Sequence, residues 1–204
     1  MTTAILLAAG ESTRMGRLKA LLDWHGQPLI RYQAEQLLAA PVERLVVVVG
    51  HRRDELVPLL PPAPALTVVD NPEYASGKVT SIVAGVGVAP ADEDMLLLAV
   101  DQPRPAALIA RVIEEHRQGG GPITVAGFHG RRGHPVIFAP ELRTELLGIS
   151  EQSEGLRAVL RAHAREARTV ETGDPLALVN LNTPEDYETA VLLSSTSSAR
   201  AGNQ

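Results

Sequence analysis

Between an early apolar run and the first long helical segment the chain reads Leu6-Leu7-Ala8-Ala9-Gly10-Glu11-Ser12-Thr13-Arg14-Met15-Gly16-Arg17-Leu18-Lys19. These residue types suit a polyphosphate. Leu7 closes the apolar run as a further nucleotide-binding candidate, and Ala8, Ala9 and Gly10 after it allow close backbone approach, so exposed N–H groups can face anionic oxygens. Ser12 adds a hydroxyl, Arg14 a forked cation and Lys19 a compact one. The glycine spacing matches neither the Walker loop nor the dinucleotide fingerprint, and no Gly-Lys-Ser/Thr occurs. An ordinary turn with solvated charges has the same composition, so the polyphosphate reading needs a second feature.

That feature is Met95-Leu96-Leu97-Leu98-Ala99-Val100-Asp101-Gln102-Pro103, which places one carboxylate where a buried strand leaves a sheet. Asp101 there suits Mg²⁺ held against triphosphate oxygens, a hard cation with a hard ligand; its alternative use is a turn cap before Pro103 and Pro105. In Val179-Asn180-Leu181-Asn182-Thr183-Pro184, Asn182 offers a second oxygen for the metal. Strand alternation would put Asn180 and Asn182 on one face, one aimed at the site and the other supporting it. Asn182 is equally suited to shaping a turn.

Lys78, Ser81 and His134 are candidate acceptor contacts. Lys78 follows Gly77 at a helix start, where its charge and the helix N-terminus would act together on a phosphate, or it is a plain exposed lysine. His134 stands between Gly133 and Pro135, placed either for an acceptor phosphate or for a loop carbonyl. Arg131 and Arg132 beside it add positive charge. Glu114-Glu115 and Glu185-Asp186 read as solvated helix positions, and Trp24 as a packing residue.

Stepping outward, short apolar runs alternate with longer segments of helical period, the pattern of βαβ units around a mostly parallel sheet. Strands are predicted over Thr3 to Ala8, Leu45 to Val49, Leu66 to Val69, Met95 to Val100, Ile123 to Ala126 and Pro135 to Phe138, with late strands at Val170 and Leu178 to Leu181. Helices are predicted over Pro28 to Ala39, Val79 to Val88, Pro105 to Arg117, Pro140 to Leu147, Glu154 to Ala164 and Pro184 to about Leu193, the last with Thr183 as N-cap. The unbroken valines of Leu45 to Val49 require burial on both faces. The fold class is a three-layer α/β/α arrangement with a Rossmann-like sheet. Residues 1–193 read as one domain and 194–204, rich in Ser, Ala and Gly, as a disordered tail.

The chain has 204 residues, of which 45% are hydrophobic, enough for one sizeable core. Its 19 Lys and Arg against 24 Asp and Glu give a net charge of -5 with no gathered basic field, so nucleic acid is not an expected partner. The absence of Cys excludes disulfides, thiolate metal sites and a Cys nucleophile, and is compatible with the cytoplasm. The apolar opening has no basic leader and is too short for a bilayer, so a soluble, cytoplasmic protein without membrane contact is expected.

Together, the stretch ending at Lys19, Asp101-Gln102-Pro103 and Asn180-Leu181-Asn182-Thr183-Pro184-Glu185-Asp186 resemble the MobA-like nucleotidyltransferases from about residue 3 to 193. Lys19-Ala20-Leu21-Leu22, Asn71-Pro72-Glu73-Tyr74-Ala75-Ser76-Gly77 and Gly133-His134-Pro135-Val136-Ile137-Phe138 resemble the molybdenum-cofactor cytidylyltransferase branch. Two stretches depart from it. Gly77-Lys78-Val79-Thr80-Ser81-Ile82 stands where such proteins commonly read Gly-Leu-Ser-Ser-Ser-Leu, and Asn180-Leu181-Asn182 is nearer the guanylyltransferase form.

The resemblance implies triphosphate contacts at Ser12, Arg14 and Lys19, and metal ligation by Asp101 with Asn182 as second ligand. It also implies attack by an acceptor phosphate on the α-phosphorus, which requires no general base. The family places the base near the first loop, and Ala9, where guanylyltransferases have Gly, favours CTP. The implied acceptor is a phosphorylated small molecule such as molybdopterin, with a molybdoenzyme as transient partner. The alternatives are transfer from another triphosphate to a sugar or alditol phosphate, and a non-catalytic nucleotide- or cofactor-binding accessory protein.

Overall fold

The structure, a computed structural model, describes residues 1–11, 16–119 and 121–201, with side chains as far as residue 195. The chain opens with β1 (Thr2–Leu7), a two-stranded hairpin β2 (Asp23–Trp24) and β3 (Gln27–Pro28), and α1 (Leu29–Ala39). There follow β4 (Arg44–Val49), α2 (Arg53–Leu56), β5 (Leu66–Asp70), α3 (Lys78–Val88), β6 (Asp94–Ala99) and α4 (Ala106–Gly119). The rest comprises β7 (Ile123–Phe128), β8 (Arg131–Phe138), α5 (Arg143–Leu147), α6 (Leu156–Ala162), β9 (Ala167–Glu171) and α7 (Pro184–Ala201). The main sheet runs in the order β5-β4-β1-β6-β8-β7-β9, with β8 alone antiparallel to its neighbours.

Period-two alternation splits the core into two layers. From β1, Ala4, Leu6 and Ala8 join Leu29, Ile30 and Leu37 of α1 and Ile109 and Val112 of α4 on one face of the sheet. Ile5, Leu7 and Ala9 join Ile82 and Val86 of α3, Leu146 of α5 and Val159 of α6 on the other. The expected three-layer, mostly parallel architecture is therefore the observed one, and Leu45 to Val49 is buried on both faces as its sequence requires. Trp24 is fully buried among the rings of Tyr32 and Tyr187, at centroid distances of 6.0 and 6.2 Å. It packs, as expected. Among the described residues no helix is long and apolar enough to cross a membrane.

Three local expectations fail for identifiable reasons. Leu178 to Leu181 is no strand: Pro175–Leu178 forms a 3₁₀ turn capped by Asp174, and the carbonyls of Ala177 and Val179 accept hydrogen bonds from Arg104 instead of a neighbouring strand. The helix expected from Glu154 begins only at Leu156, because Glu154 and Gly155 have φ of 62° and 55°, outside the right-handed helical region. The last helix continues through Ala201 where composition gave no structure. Its hydroxyls fold back on the helix, Ser194 Oγ and Ser195 Oγ donating to Val191 O at 2.8 and 2.9 Å. Its start is as read from sequence, with Asp186 N donating to Thr183 Oγ1 at 3.2 Å and Thr183 N to Asp186 Oδ2 at 3.0 Å.

Helix α3 crosses β1 closely at Gly85, where an added Cβ would meet Ile5 Cγ2 at 2.4 Å and Val48 Cγ2 at 3.1 Å, whereas Gly87 two residues on faces open space. Alanine at each should act with opposite sign. Gly85→Ala is expected to destabilise by about 1–3 kcal/mol through overpacking of fully buried β-branched residues, and Gly87→Ala to stabilise by up to about 1 kcal/mol through helix propensity. Urea midpoints of the two variants check this, and a stabilised Gly85→Ala would contradict the packing account.

Candidate functional site

Because β1, β4, β5 and β6 are parallel, their carboxyl ends share one rim, where open α/β sheets bind ligands. Backbone bonds lock the exits together: His51 N donates to Ala9 O at 3.1 Å, Asn71 N to Val49 O at 2.8 Å and Val100 N to Leu7 O at 3.0 Å. A cavity of about 250 Å³ opens there, bounded by Leu7, Ala9 and Gly10 from the first loop, Lys19, Tyr74, Lys78, Ser81 and Asp101. Ala8 lies behind this wall, in the α1-side core. Ser12 and Arg14 lie outside the described residues.

Three residues that are far apart in sequence converge on one point of this rim. Lys19 Nζ donates to Asp101 Oδ2 at 2.7 Å and to Asn182 Oδ1 at 3.1 Å. Their carbon frames are only partly wetted, with 13% of the Lys19 side chain and 23% of the Asp101 side chain exposed, so the charges act through less screening than on an open surface. An ammonium nitrogen bonded to both oxygens means that one carboxylate and one amide oxygen already face a single cation. That donor set fits a hard divalent ion completed by phosphate and water. Among the described residues no three His, Cys, Asp or Glu side chains gather into a metal cluster, so the protein alone does not make a closed cage.

Asn180 plays the supporting part: its Oδ1 accepts from Gln102 Nε2 at 2.7 Å, while Gln102 Oε1 accepts from Ala99 N at 3.0 Å. Leu181 N donates to Asp101 O at 2.9 Å. The segment carrying Asn182 is thereby fastened to the loop carrying Asp101, and the division between the two asparagines arises from these bonds, without strand alternation.

The three acceptor candidates divide. Ser81, buried and accepting from Asn71 Nδ2 at 2.9 Å, borders the first cavity; His134 borders a second cavity of about 690 Å³ between α3 and α6; Lys78 stands at both. Lys78 is exposed to this space, yet surrounding protein lowers its ammonium pKa, first by desolvation and also through Lys19, with Asp101 opposing. Burial, then the charges of Arg104 and Lys78, push the His134 imidazole down to about 4 against the pull of Asp101, so it is neutral at pH 7.

Sequence reasoning gave no role to several residues that shape the site. Tyr74 forms a wall of the first cavity, its ring 5.8 Å from that of His51 and so close to Gly50 that a Cβ there would meet it at 2.8 Å. Glu151 reaches from the far side of the second cavity to accept from Val79 N at 3.0 Å, occupying the N-terminus of α3. Arg104 is fully buried. A charged side chain in the proline-flanked Gln102-Pro103-Arg104-Pro105 was the signal available for the last, and the resembling stretch Asn71 to Gly77 for Tyr74; for Glu151 sequence carried none.

Residues 4–167 match the MobA-like NTP transferase domain, and the chain belongs to that family of nucleotidyltransferases. It is 32% identical over 168 residues to a protein named nicotine blue oxidoreductase from Paenarthrobacter nicotinovorans, covering 78% of this chain and 81% of the relative. It is 27% identical to the molybdenum cofactor cytidylyltransferase of Escherichia coli K12, covering 91% and 93%. To a molybdenum cofactor guanylyltransferase of Xanthomonas euvesicatoria pv. vesicatoria it is 30% identical, covering 91% and 92%. In three dimensions it resembles a nucleotidyl transferase from Methanothermobacter thermautotroptrophicus with a TM-score of 0.80 and 25% identity, over 96% of this chain and 99% of that one.

The His134 environment sets a pH window. Its folded pKa of about 4 lies below the ordinary 6.5, so the unfolded chain takes up the proton first and the native state loses stability as pH falls from about 6.5 toward about 4. His134→Gln removes this dependence. Between pH about 7.5 and about 5 the wild-type denaturant midpoint is expected to fall further than that of the variant; equal losses would refute the shifted imidazole.

Proposed function

We propose that this chain transfers CMP from CTP to the terminal phosphate of molybdenum-bound molybdopterin and releases pyrophosphate. The observation that supports this most directly is the convergence of Lys19, Asp101 and Asn182 beside the first loop. In this reading Leu7, Ala8, Ala9 and Gly10 form the backbone side of the nucleotide pocket, and Lys19, with Ser12 and Arg14, binds the triphosphate. Asp101 and Asn182 would hold Mg²⁺, whose charge offsets that of the triphosphate when bound.

An acceptor phosphate oxygen forms the new bond to the α-phosphorus while the bond from that phosphorus to the β-bridging oxygen breaks, and the electron pair leaves with pyrophosphate. The attacking phosphate is anionic at neutral pH and needs no general base, so positioning and charge carry the catalysis. Lys78 and the neutral His134 receive the acceptor phosphate where the two cavities meet, and Ser81 lines the boundary on the nucleotide side. We assign the reaction to the cytoplasm and its product to a transiently docking molybdoenzyme.

Base choice rests on Ala9, which is 2% exposed and borders the cavity; its methyl narrows the space a purine needs. A second reading, GTP with the same acceptor, is favoured by Asn180-Leu181-Asn182, nearer the guanylyltransferase form. Pyrophosphate release with each of four nucleoside triphosphates, against molybdopterin with bound molybdenum and a panel of sugar and alditol phosphates, tests the assignment. CTP with molybdopterin is expected to be the preferred pair. Preference for GTP selects the second reading, and no transfer with any pair, or oxidoreduction of nicotine blue instead, overturns nucleotidyl transfer.

Two substitutions test the roles. Lys19→Ala removes a charge-assisted contact of about 1.5–3 kcal/mol, so calorimetry should show triphosphate affinity about 10- to 100-fold weaker. Asp101→Ala should abolish turnover in Mg²⁺ without unfolding, and retained turnover would remove Asp101 from the metal. One methyl discriminates by about 1–3 kcal/mol, so Ala9→Gly should narrow the CTP preference in direct competition with GTP; an unchanged ratio would clear Ala9 of that role.

A further inference from the structure

One cation is withdrawn from solvent altogether, and the nearest anions, Asp101 and Asp174, act on it only at a distance. The Arg104 side chain is fully buried, and among the described residues no carboxylate lies within ion-pair distance of it. A buried charge without a counterion is costly unless its surroundings over-determine it. Here the surroundings are backbone carbonyls. Nε donates to His134 O at 2.9 Å, Nη1 to Pro103 O at 3.0 Å, and Nη2 to Ala177 O at 3.0 Å and Val179 O at 2.8 Å.

These carbonyls belong to the three segments that carry the proposed chemistry. Pro103 follows Asp101, Val179 leads into Asn180 and Asn182, and His134 borders the acceptor cavity. Gly133 lets the strand and the turn meet, because a Cβ there would lie 2.0 Å from Ala177 O. On the opposite side Gln33 of α1 completes the frame, accepting from Arg104 N at 3.0 Å and donating to Gln102 O at 2.6 Å. A guanidinium suits this task because its planar donors are fixed relative to one another, whereas an ammonium on a flexible stem serves fewer directions and an apolar chain leaves the carbonyls unsatisfied.

We propose that Arg104 is a positioning residue of the transfer site: its buried fork fixes the metal-side loop with Asn182 and the acceptor-side strand with His134 relative to Asp101. The inference rests on the cleft being the transfer site. Burial lowers the Arg104 pKa to about 9, so the group stays cationic at neutral pH and adds a permanent positive charge behind both cavities.

Arg104→Lys and Arg104→Met in the full chain test this, at temperatures well below each variant's melting transition. Electron paramagnetic resonance would read Mn²⁺ affinity in the presence of CTP, calorimetry would read CTP affinity without divalent metal, and nuclear magnetic resonance would follow the His134 titration. The expected signature is Mn²⁺ affinity down at least about tenfold with CTP affinity unchanged, kcat reduced, and the His134 midpoint raised in the Met variant but less in the Lys variant. Wild-type Mn²⁺ affinity, kcat and His134 midpoint in folded variants would reduce Arg104 to a packing role and overturn the proposal. Should Arg104→Met not fold, Gln33→Leu is expected to weaken Mn²⁺ binding in the same direction, and unchanged binding would overturn the proposal equally. Failure of the wild-type protein to transfer any nucleotide would instead sink the proposed function, leaving the Mn²⁺ and His134 readouts to judge the frame.

Discussion

Where β6 leaves the sheet its backbone groups lose their ladder partners, and a buried carbonyl or N–H must find another. The chain meets this constraint with residues from its far end. Asp101 O accepts from Leu181 N, Ala99 N is met by Gln102, and Gln102 in turn holds Asn180. The same bonds that satisfy the strand exit therefore bring Asp101, the one carboxylate lining the first cavity among the described residues, to the amide of Asn182. The placement of the site and the satisfaction of the backbone where central strand β6 ends have one cause.

The parts legible in the sequence are those governed by periodicity and local cap chemistry. Valine runs and Thr183 with Asp186 at the start of α7 each follow from residues close in the chain. Asp101 and Lys19 were legible because a strand exit and a small-residue loop restrict what a charge there can do. Leu178 to Leu181 was not, since four residues of mixed polarity look alike whether their carbonyls pair with a strand or with a guanidinium from residue 104. The partition of Ser81 and His134 between two cavities, and the part taken by Tyr74, depend on how α3, β8 and the turn at Tyr74 are placed around the cleft. No local pattern encodes that.

Net charge and local charge point in opposite directions. The chain carries a formal -5, yet among the described residues that line the first cavity Lys19 and Lys78 stand beside one carboxylate, Asp101, with Arg104 buried behind them. Glu151, which also reaches the cleft, is engaged at the N-terminus of α3, where an anion is already favoured by the helix dipole. A bound polyanion thus meets a positive surface inside a molecule whose exterior repels other anions, an arrangement that favours a small multiply charged ligand over an extended one such as nucleic acid.

The division of labour between the cavities also bears on why branch identity is hard to read. In the proposed reading Lys19, Asp101 and Asn182 face phosphate and metal, parts common to every nucleoside triphosphate complex, so enzymes acting with CTP and with GTP could share them without conflict. Discrimination has to come from the walls: Ala9 and Tyr74 around the smaller cavity, and the α3 to α6 groove around the larger. Around Ala9 that wall is apolar or backbone-lined, and in the proposed reading a methyl group there shifts base preference modestly. A few substitutions there would redirect the base while leaving the bonded frame of Asp101, Gln102, Asn180 and Arg104 intact, because the one wall residue in it, His134, takes part only through its backbone carbonyl.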